Sequence, residues 1–455
     1  MNDITAFFAF LKYCLGYKEN MSRVIAGMNW HELYSFASKQ ALLGLCFEGI
    51  ERLGEEYPEE LKRNPIGREL LMTWMGKAQQ IRRQNMKVNA VASKLFSMLR
   101  VDGMRCCVLK GQGNALMYPN PYSRTPGDID VWIDASRERI MEYAQKKFEL
   151  EDDIRLQHLE TSLDGVPVEL HFFPCSMNNP IYHARLQKWF RRNADLQCSH
   201  IVGLPDGAGD IAIPTTAFNV IYQLCHLYHH FFDEGIGMRQ IIDYFLVVND
   251  FSKNVFLNND LSNHPVNFSN HPVPLSKEGS TFSPSPSSSG SGDVTAPSRC
   301  SEPLRSKDGG PSKVSPDCAG WDRLAIEGDN SATAVTSSAS TALVVVQREL
   351  KHLGLWKFAR AVMYVLHETL GLSDEKMIAP MDEKRGKLLL AEILNGGNFG
   401  RHFTKYGHFT QQGMAKKYFL KIWRNMHFVR YYPAEALSEP IFRTWHFFWR
   451  LKHRR

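Results

Sequence analysis

The sequence predicts an α+β protein in which a small mixed sheet with helices is flanked by helical N- and C-terminal regions. The apolar run Cys106–Leu109 is typical of a buried strand, and residues 110–113 break it with a lysine and two glycines. Residues 127–133 (GDIDVWI) then alternate between side chains for two faces, as a strand does. An Asp-Gly pair at 164–165 lies inside a third alternating stretch and predicts a hairpin. Few strands among helix-patterned segments indicate the α+β class.

The rest of the chain has helical patterns and one polar stretch. Trp30, Leu33 and Phe36 fall at helical spacing, and Ser136 is a suitable cap for a helix that reaches about Phe148. Between 252 and 340, Asn, Ser, Pro and Gly dominate, a composition that buries too little apolar surface to offset the entropy of ordering. We therefore expect five segments: a helical region 1–100, a sheet-bearing core 101–210, a helical region whose first part is 211–251, a disordered polar insertion 252–340, and the second helical part 341–455.

Composition narrows the class of protein. The chain has 455 residues, of which 44% are hydrophobic and 22% charged, so it is long enough for sizeable cores. The net charge of +6 fits a polyanionic substrate such as a nucleotide. It permits nucleic acid as a partner without indicating it, and a slightly basic solvated surface explains it equally simply.

Location and redox state follow from what the sequence lacks. No apolar run reaches the roughly 18–20 residues of a membrane span. The first residues show no signal-peptide pattern. None of the nine cysteines forms a Cys-x-x-Cys pair, so neither a zinc framework nor a disulfide framework is indicated. We expect a cytoplasmic protein with reduced cysteines.

Three carboxylates are the candidate chemical centre. Asp128 and Asp130 share one face of their strand, and Glu169 with His171 faces the side on which we place them. Adjacent carboxylates repel each other and persist where a cation lies between them. Their hard oxygen atoms suit Mg²⁺ or Mn²⁺. A simpler alternative is solvated acids at a strand end, with His171 as a hydrogen-bonded structural histidine.

These residues resemble the DNA polymerase β superfamily of nucleotidyltransferases, and within it a group of bacterial proteins labelled uncharacterised nucleotidyltransferases. The matching stretches are 109–111 (LKG), 124–130 (RTPGDID), 168–171 (VELH) and 235–240 (GIGMRQ). The similarity covers most of the chain outside the polar segment. One departure is Gln112, which follows Gly111 where the superfamily usually has Gly or Ser.

The resemblance implies a polymerase-β-like nucleotidyltransferase core and a metal-dependent reaction. A nucleoside monophosphate would pass from an NTP to an unidentified acceptor by two-metal in-line transfer, with release of pyrophosphate. Asp128, Asp130 and Glu169 would be the catalytic metal ligands. Residues expected to bind the nucleotide are Lys110, Gly111, Gly113, Arg124 and Arg239.

Purely structural roles are the alternative for the predicted nucleotide-binding residues. Gly111 and Gly113 also fit a plain strand-to-helix turn. Arg239 and Asp243 are spaced i, i+4 and could simply pair with each other within a helix.

Other hypotheses come from different classes. One is a non-catalytic nucleotide-binding or interaction module on the same fold. Another is a zinc hydrolase built on His226, His229 and His230, although satisfied helix histidines are the simpler interpretation. The basic, aromatic tail 413–455 could bind nucleic acid or a membrane surface, or could be an amphipathic helix docked on the body.

Overall fold

A four-stranded mixed sheet positions the candidate site. The computed structural model describes residues 3–150, 155–257, 335–402 and 414–453. The strand order is β1-β2-β4-β3, with β2 parallel to β4 and the other two pairs antiparallel. The strands are β1 Cys106–Leu109, β2 Ile129–Ile133, β3 His158–Leu163 and β4 Val166–His171.

Helices make up most of the remaining described chain, and a short two-stranded sheet joins β5 Ile201–Gly203 to β6 Asp210–Ala212. The α+β class expected from the sequence is therefore the observed one. The helices are α1 Asp3–Cys14, α2 Ser22–Ala26, α3 Trp30–Lys39, α4 Leu43–Glu56, α5 Pro58–Arg63, α6 Arg68–Val101, α7 Gly111–Ala115, α8 Arg137–Lys147, α9 Pro180–Ser199, α10 Thr216–Asp233, α11 Met238–Leu257, α12 Val335–His352, α13 Trp356–Leu370, α14 Glu383–Gly396, α15 Met414–Met426 and α16 Pro433–His453.

The β3–β4 hairpin forms as its turn chemistry predicts. Asp164 and Gly165 both have positive φ, 50° and 72°, which an Asp-Gly turn accommodates. With a two-residue turn, Leu163 pairs with Val166, and the pairing continues to His158 opposite His171. Turn length therefore fixes which side chains face the cleft.

The two faces of the sheet pack against different cores. Ile129 and Val131 enter a cluster with α6 and α8, whereas Trp132 belongs to the larger helical cluster. Trp132 stacks on Phe218 of α10, with ring centroids 6.1 Å apart. Because side chains alternate along β2, Asp130 lies on the same face as Trp132, toward the helices.

The N-terminal and C-terminal helices share one core, although the sequence suggested separate regions. Phe10 of α1 and Leu366 of α13 are fully buried in the same cluster. Gln40 joins the two regions, because its Nε2 donates to the Ile393 carbonyl at 3.2 Å and its Oε1 accepts from Met238 N at 2.8 Å.

The edges of the expected insertion differ from the sequence-based boundaries. Helix α11 continues through Leu257 and α12 begins at Val335, so the outer residues of the predicted segment 252–340 are helical. The remainder of the predicted insertion, 258–334, lies outside the described residues.

The chain's last two helices dock on the body. Arg424 of α15 is 1% exposed and donates to the Phe231 carbonyl at 2.8 Å, and Arg443 of α16 pairs with Asp233 at 2.7 Å. In the described part of the chain, no helix is long and apolar enough to cross a membrane.

The loop that leads into β2 is held by close packing on α4 and α6. Asn85 donates to the carbonyls of Tyr122 and Arg124 at 3.0 and 2.8 Å. A Cβ on Gly44 would lie 2.3 Å from the Ser123 carbonyl oxygen and 3.3 Å from Ile81 Cγ2. Glycine at this position therefore lets α4 approach the loop.

We expect Gly44→Ala to lower the free energy of unfolding by about 1–3 kcal/mol, because backbone must move to admit the methyl group. Gly54 on the same helix is the control, since a Cβ there meets no atom within 4 Å. Gly54→Ala should stabilise the protein by about 0.5–1 kcal/mol through helix propensity. Chemical denaturation measures both changes, and equal effects would contradict the tight contact at Gly44.

Candidate functional site

Three carboxylates converge at the polar end of β2 and β4. The parallel register places Asp130 beside Glu169, and Asp128 lies just before β2. Ligand oxygens of all three residues lie within 4.8 Å of one another. Asp130 is 4% exposed, whereas Asp128 is open to the cleft. The residue type and spacing fit a divalent cation.

The two aspartates have opposite electrostatic environments. Repulsion by Asp130, with burial adding to it, raises the pKa of Asp128 to about 6. Burial also acts to raise the pKa of Asp130, but Lys110 and His171 outweigh it and hold that pKa well below its usual value. Asp130 therefore stays ionised, and the repulsion between the carboxylates acts mainly on Asp128.

His171 bridges two of the acids. Its Nε2 lies 2.9 Å from Asp130 Oδ1 and 3.0 Å from Glu169 Oε2. Burial acts to lower the pKa of His171, but these hydrogen bonds outweigh it and raise the pKa to about 9. The sequence predicted His171 on this face, and the structure places its Nε2 between Asp130 and Glu169.

Lys110 reaches into the site from a strained turn. Its φ and ψ are 51° and −126°, a conformation that non-glycine residues rarely adopt. The ammonium Nζ lies 3.0 Å from Asp130 Oδ1 and 3.3 Å from His226 Nε2. The turn therefore directs a half-buried cation at the acids, and the neighbouring Gly111 lines the same cleft.

Gly113 has a different surrounding from the one expected for a nucleotide-binding glycine. It is buried and does not line the cleft. A Cβ on it would meet Ile213 Cγ2 at 3.0 Å. Close packing beside β6, rather than an approach to a ligand, therefore explains this glycine.

Arg124 is locked in place by Asp243. The Arg124 Nε and Nη2 atoms each lie 2.8 Å from one carboxylate oxygen of Asp243, and the Tyr118 hydroxyl donates to the same carboxylate at 2.7 Å. Arg124 is 4% exposed. This bidentate pair ties the loop before β2 to α11.

Arg239 is left without the partner that helical spacing suggested. Because Asp243 pairs with Arg124, the predicted i, i+4 alternative is not the observed arrangement. Arg239 Nη1 donates to the Thr125 carbonyl at 3.2 Å, and its buried Nε has no hydrogen-bond partner among the residues that the structure describes. Burial and the neighbouring Arg124 lower the pKa of Arg239. Its guanidinium faces the cleft beside Phe399.

The cleft has a volume of about 390 Å³. Cationic and anionic groups meet in it, with contributions from the sheet, α10, α11 and the segment after α14. Its charged and histidine lining residues are Lys110, Arg124, Asp128, Asp130, Arg155, His158, Glu160, Glu169, His171, His226, His229, His230, Asp233, Glu234, Arg239, Asp243 and Arg401.

His158 is a cleft residue that the sequence analysis missed. Burial lowers its pKa to about 3, so its imidazole is neutral. It faces His171 across the hairpin, and their ring centroids are 5.0 Å apart. Counting outward from the Asp164-Gly165 turn would have found this pairing.

The α10 histidines do not form a metal site in the described residues. Two groups of possible metal ligands do converge elsewhere in the cleft. One is His158, Glu169 and His171, and the other is Asp128, Asp130 and Glu169. Neither group includes His226, His229 or His230. Burial lowers the pKa of His226 strongly and that of His229 to about 4, which indicates neutral packed side chains.

Comparison with known proteins assigns the family. No curated protein matches the chain. Among solved structures, the chain is similar to the crystal structure of an antigenic nucleotidyltransferase-like protein from Paracoccidioides brasiliensis. The similarity has 17% sequence identity and a TM-score of 0.25, and covers 35% of this chain and 75% of that chain. The sequence model of a family described as uncharacterised nucleotidyltransferases matches residues 26–262, more than half of the chain. The chain belongs to this family of uncharacterised nucleotidyltransferases.

Proposed function

We propose that the protein transfers a nucleoside monophosphate from an NTP to a hydroxyl or phosphate of an acceptor, with release of pyrophosphate. The observation that carries the proposal is the convergence of Asp128, Asp130 and Glu169 within 4.8 Å at the floor of the cleft. The acid pair before and on one strand, with a third acid on its parallel neighbour, supports a polymerase-β-type core.

The same carboxylates are the proposed metal ligands. Crowding raises the pKa of Asp128 to about 6, and an added cation between the acids would relieve the repulsion by Asp130 that causes this. All donors are hard oxygens, which suits Mg²⁺ or Mn²⁺. When bound, such ions would stabilise the negative charge that builds up on the transferred phosphoryl group and on the leaving group.

Lys110, Gly111 and Arg239 are the proposed nucleotide contacts. The Arg239 guanidinium has a buried Nε without a partner, so an anion in the cleft would satisfy it. Lys110 lies between the acids and His226, from where a flexible side chain can follow phosphate charge. Arg124 contributes by a different route, because its pair with Asp243 holds the loop that precedes Asp128.

Glu169 is proposed to act on the acceptor side. The acceptor oxygen would attack the α-phosphorus, the bond from that phosphorus to the bridging oxygen would break, and pyrophosphate would leave. Glu169 would help take the proton of the attacking hydroxyl. His171 would act as a positioning residue, since its Nε2 contacts both Glu169 and Asp130.

A non-catalytic nucleotide-binding module remains the competing function. A module that only binds nucleotide has no need of a third acid on β4. The complete acid set, held by His171 and Lys110, therefore favours catalysis.

Asp128→Asn and Asp130→Asn should each abolish Mg²⁺-dependent transfer, because a neutral amide is a poor ligand for a hard cation. The assay follows α-phosphate label from an NTP into acceptors in a cell extract, with and without EDTA. Asp164→Asn is the matched control, since Asp164 pairs with Lys94 at the exposed hairpin turn. Full activity in both variants would place the metal site elsewhere.

The two variants should differ in thermal stability without metal. Asp128→Asn should raise the melting temperature, because it removes the repulsion with Asp130. Asp130→Asn should lower it, because Lys110 and His171 lose their shared anionic partner. Thermal denaturation in EDTA tests this, and an identical shift in both variants would contradict the assigned electrostatics.

Glu169→Gln should lower the transfer rate by about 10²–10⁴-fold, the usual contribution of a general base. The Kd for NTP should stay near the wild-type value, because the proposed role is on the acceptor side. Rapid-quench kinetics and calorimetric nucleotide titration measure the two quantities. A large loss of NTP affinity with an unchanged rate of transfer would reverse the assignment.

Arg239→Ala should weaken NTP binding by roughly ten- to a hundredfold, since a charge-assisted hydrogen bond is worth about 1.5–3 kcal/mol. The melting temperature should change little, because the Arg239 side chain makes few polar contacts with the protein. Arg185→Ala is the control, because Arg185 lies on α9 outside the cleft lining and is exposed. Unchanged NTP affinity would assign Arg239 to structure.

A further inference from the structure

A second, smaller cavity adjoins the cleft. It has a volume of about 170 Å³. Arg155, Gln157, His158, His229 and Asp233 line both spaces and form the boundary between them. A molecule in the smaller cavity would therefore be next to one bound at the acids.

The smaller cavity lies near Glu169, the residue proposed to act on the acceptor. His158 Nδ1, on the shared boundary, lies 3.4 Å from Glu169 Oε2. None of the proposed phosphate contacts, Lys110, Gly111 and Arg239, lines this cavity. A ligand there would approach the transferred group from the side of Glu169.

The charges around the smaller cavity are paired with one another. Arg443 Nη2 lies 2.7 Å from Asp233 Oδ1, and Arg443 Nε also donates to Glu439. Arg155 lies 2.6 Å from Glu160. Among the described residues, the cavity therefore offers no free cationic group of the kind that Arg239 provides for a phosphate, and a charged acceptor would be buried there without a partner.

Buried polar atoms nonetheless lack partners at this cavity. Glu439 is 1% exposed, and its Oε2 accepts no hydrogen bond from the described part of the chain. His158 is 8% exposed, and its Nδ1 and Nε2 lie 3.4 and 3.5 Å from carboxylate oxygens of Glu169 and Glu160 without the geometry of a hydrogen bond. His229 Nδ1 is also buried and makes no hydrogen bond with the described residues. Groups of this kind are normally satisfied by water or by a ligand.

A hydroxyl group matches this set, because it donates to a carboxylate oxygen and accepts from an imidazole N–H. Several hydroxyl groups on a small ring would reach Glu439 and the histidines together. Phe442, also in the lining, offers an apolar face for the C–H side of such a ring.

We propose that the smaller cavity holds the acceptor, and that the acceptor is a small neutral molecule rich in hydroxyl groups, such as a monosaccharide or a cyclic polyol. The inference rests on the proposed nucleotidyl transfer. One acceptor hydroxyl oxygen forms a bond to the α-phosphorus, the α–β phosphoanhydride bond breaks, pyrophosphate leaves, and the hydroxyl proton is released through Glu169. The product is a nucleoside monophosphate ester of the polyol.

The test uses the full-length protein with Mg²⁺ and the four NTPs labelled on the α-phosphate. Matched acceptor pairs are glucose with glucose 6-phosphate, ribose with ribose 5-phosphate, and myo-inositol with inositol phosphate. At least one neutral compound should become labelled, and its phosphorylated partner should have a kcat/KM at least about tenfold lower, because the smaller cavity buries its added charge without a partner. Faster transfer to the phosphorylated compounds or to an RNA end would overturn the proposal.

Variants connect the acceptor to the cavity. Glu439→Gln should raise the acceptor KM about tenfold by removing the charged hydrogen-bond acceptor, while the Kd for NTP stays unchanged. Phe442→Ala, at a partly exposed position, should also raise that KM and serves if Glu439→Gln does not fold. Glu383→Gln is the control, because Glu383 forms an exposed pair with Lys387 on α14. An unchanged acceptor KM in both cavity variants would remove the acceptor from this cavity.

A measurement of NTP binding distinguishes failure of the acceptor proposal from failure of the proposed transferase activity. If the protein binds NTP in an Asp128-dependent manner but no neutral polyol is labelled or bound in calorimetric titration, the acceptor proposal fails and the transferase proposal stands. If NTP binding is itself absent, the proposed function fails.

Discussion

The mutual repulsion of three carboxylates is the constraint on which the site depends. Parallel pairing puts Asp130 beside Glu169, and β2 begins just after Asp128, so backbone hydrogen bonding alone brings negative charges together. Such an arrangement is costly unless cations or donors compensate it. Lys110 and His171 supply this compensation at 3.0 and 2.9 Å from Asp130. Of these two side chains, Lys110 also contacts His226 and His171 also contacts Gln157, both at 3.3 Å.

The two aspartates differ in how far neighbouring groups compensate their negative charge, and this difference affects cation binding. Asp130 receives both partners and stays ionised, whereas Asp128 faces the cleft with a raised pKa. An incoming cation would therefore find one rigid anion and one that gains most from its arrival. The strained backbone at Lys110 contributes to this arrangement, since an unstrained turn would direct its ammonium group away from Asp130.

Distant helices complete the cleft. Arg124 and Asp243 are 119 residues apart and form a buried bidentate pair. This pair leaves Arg239 facing the cleft with an unsatisfied nitrogen. The C-terminal helix α16 contributes Glu439 and Arg443 to the adjoining cavity. The proposed phosphate contacts thus come from the residues directly after β1 and from α11, whereas the adjoining cavity takes part of its lining from α16.

The acid set and its strands could be predicted from local pattern. Alternation along β2 places Asp128 and Asp130 on one face, and the Asp164-Gly165 turn fixes the register that puts Glu169 on the facing side. The same register also pairs His158 with His171, although the sequence analysis did not predict this pair. Gly113 also needs the tertiary structure, because its local pattern suggested a ligand contact, whereas its surroundings show close packing against Ile213.

By itself, the sequence determined the strands of the four-stranded sheet and their polar and apolar faces, because these depend on a period of two and on a two-residue turn. Only the tertiary structure decided which arginine pairs with Asp243, where Lys110 points, and which helix walls the second cavity. Those outcomes depend on contacts between segments more than a hundred residues apart, whose distances and charges no local pattern encodes.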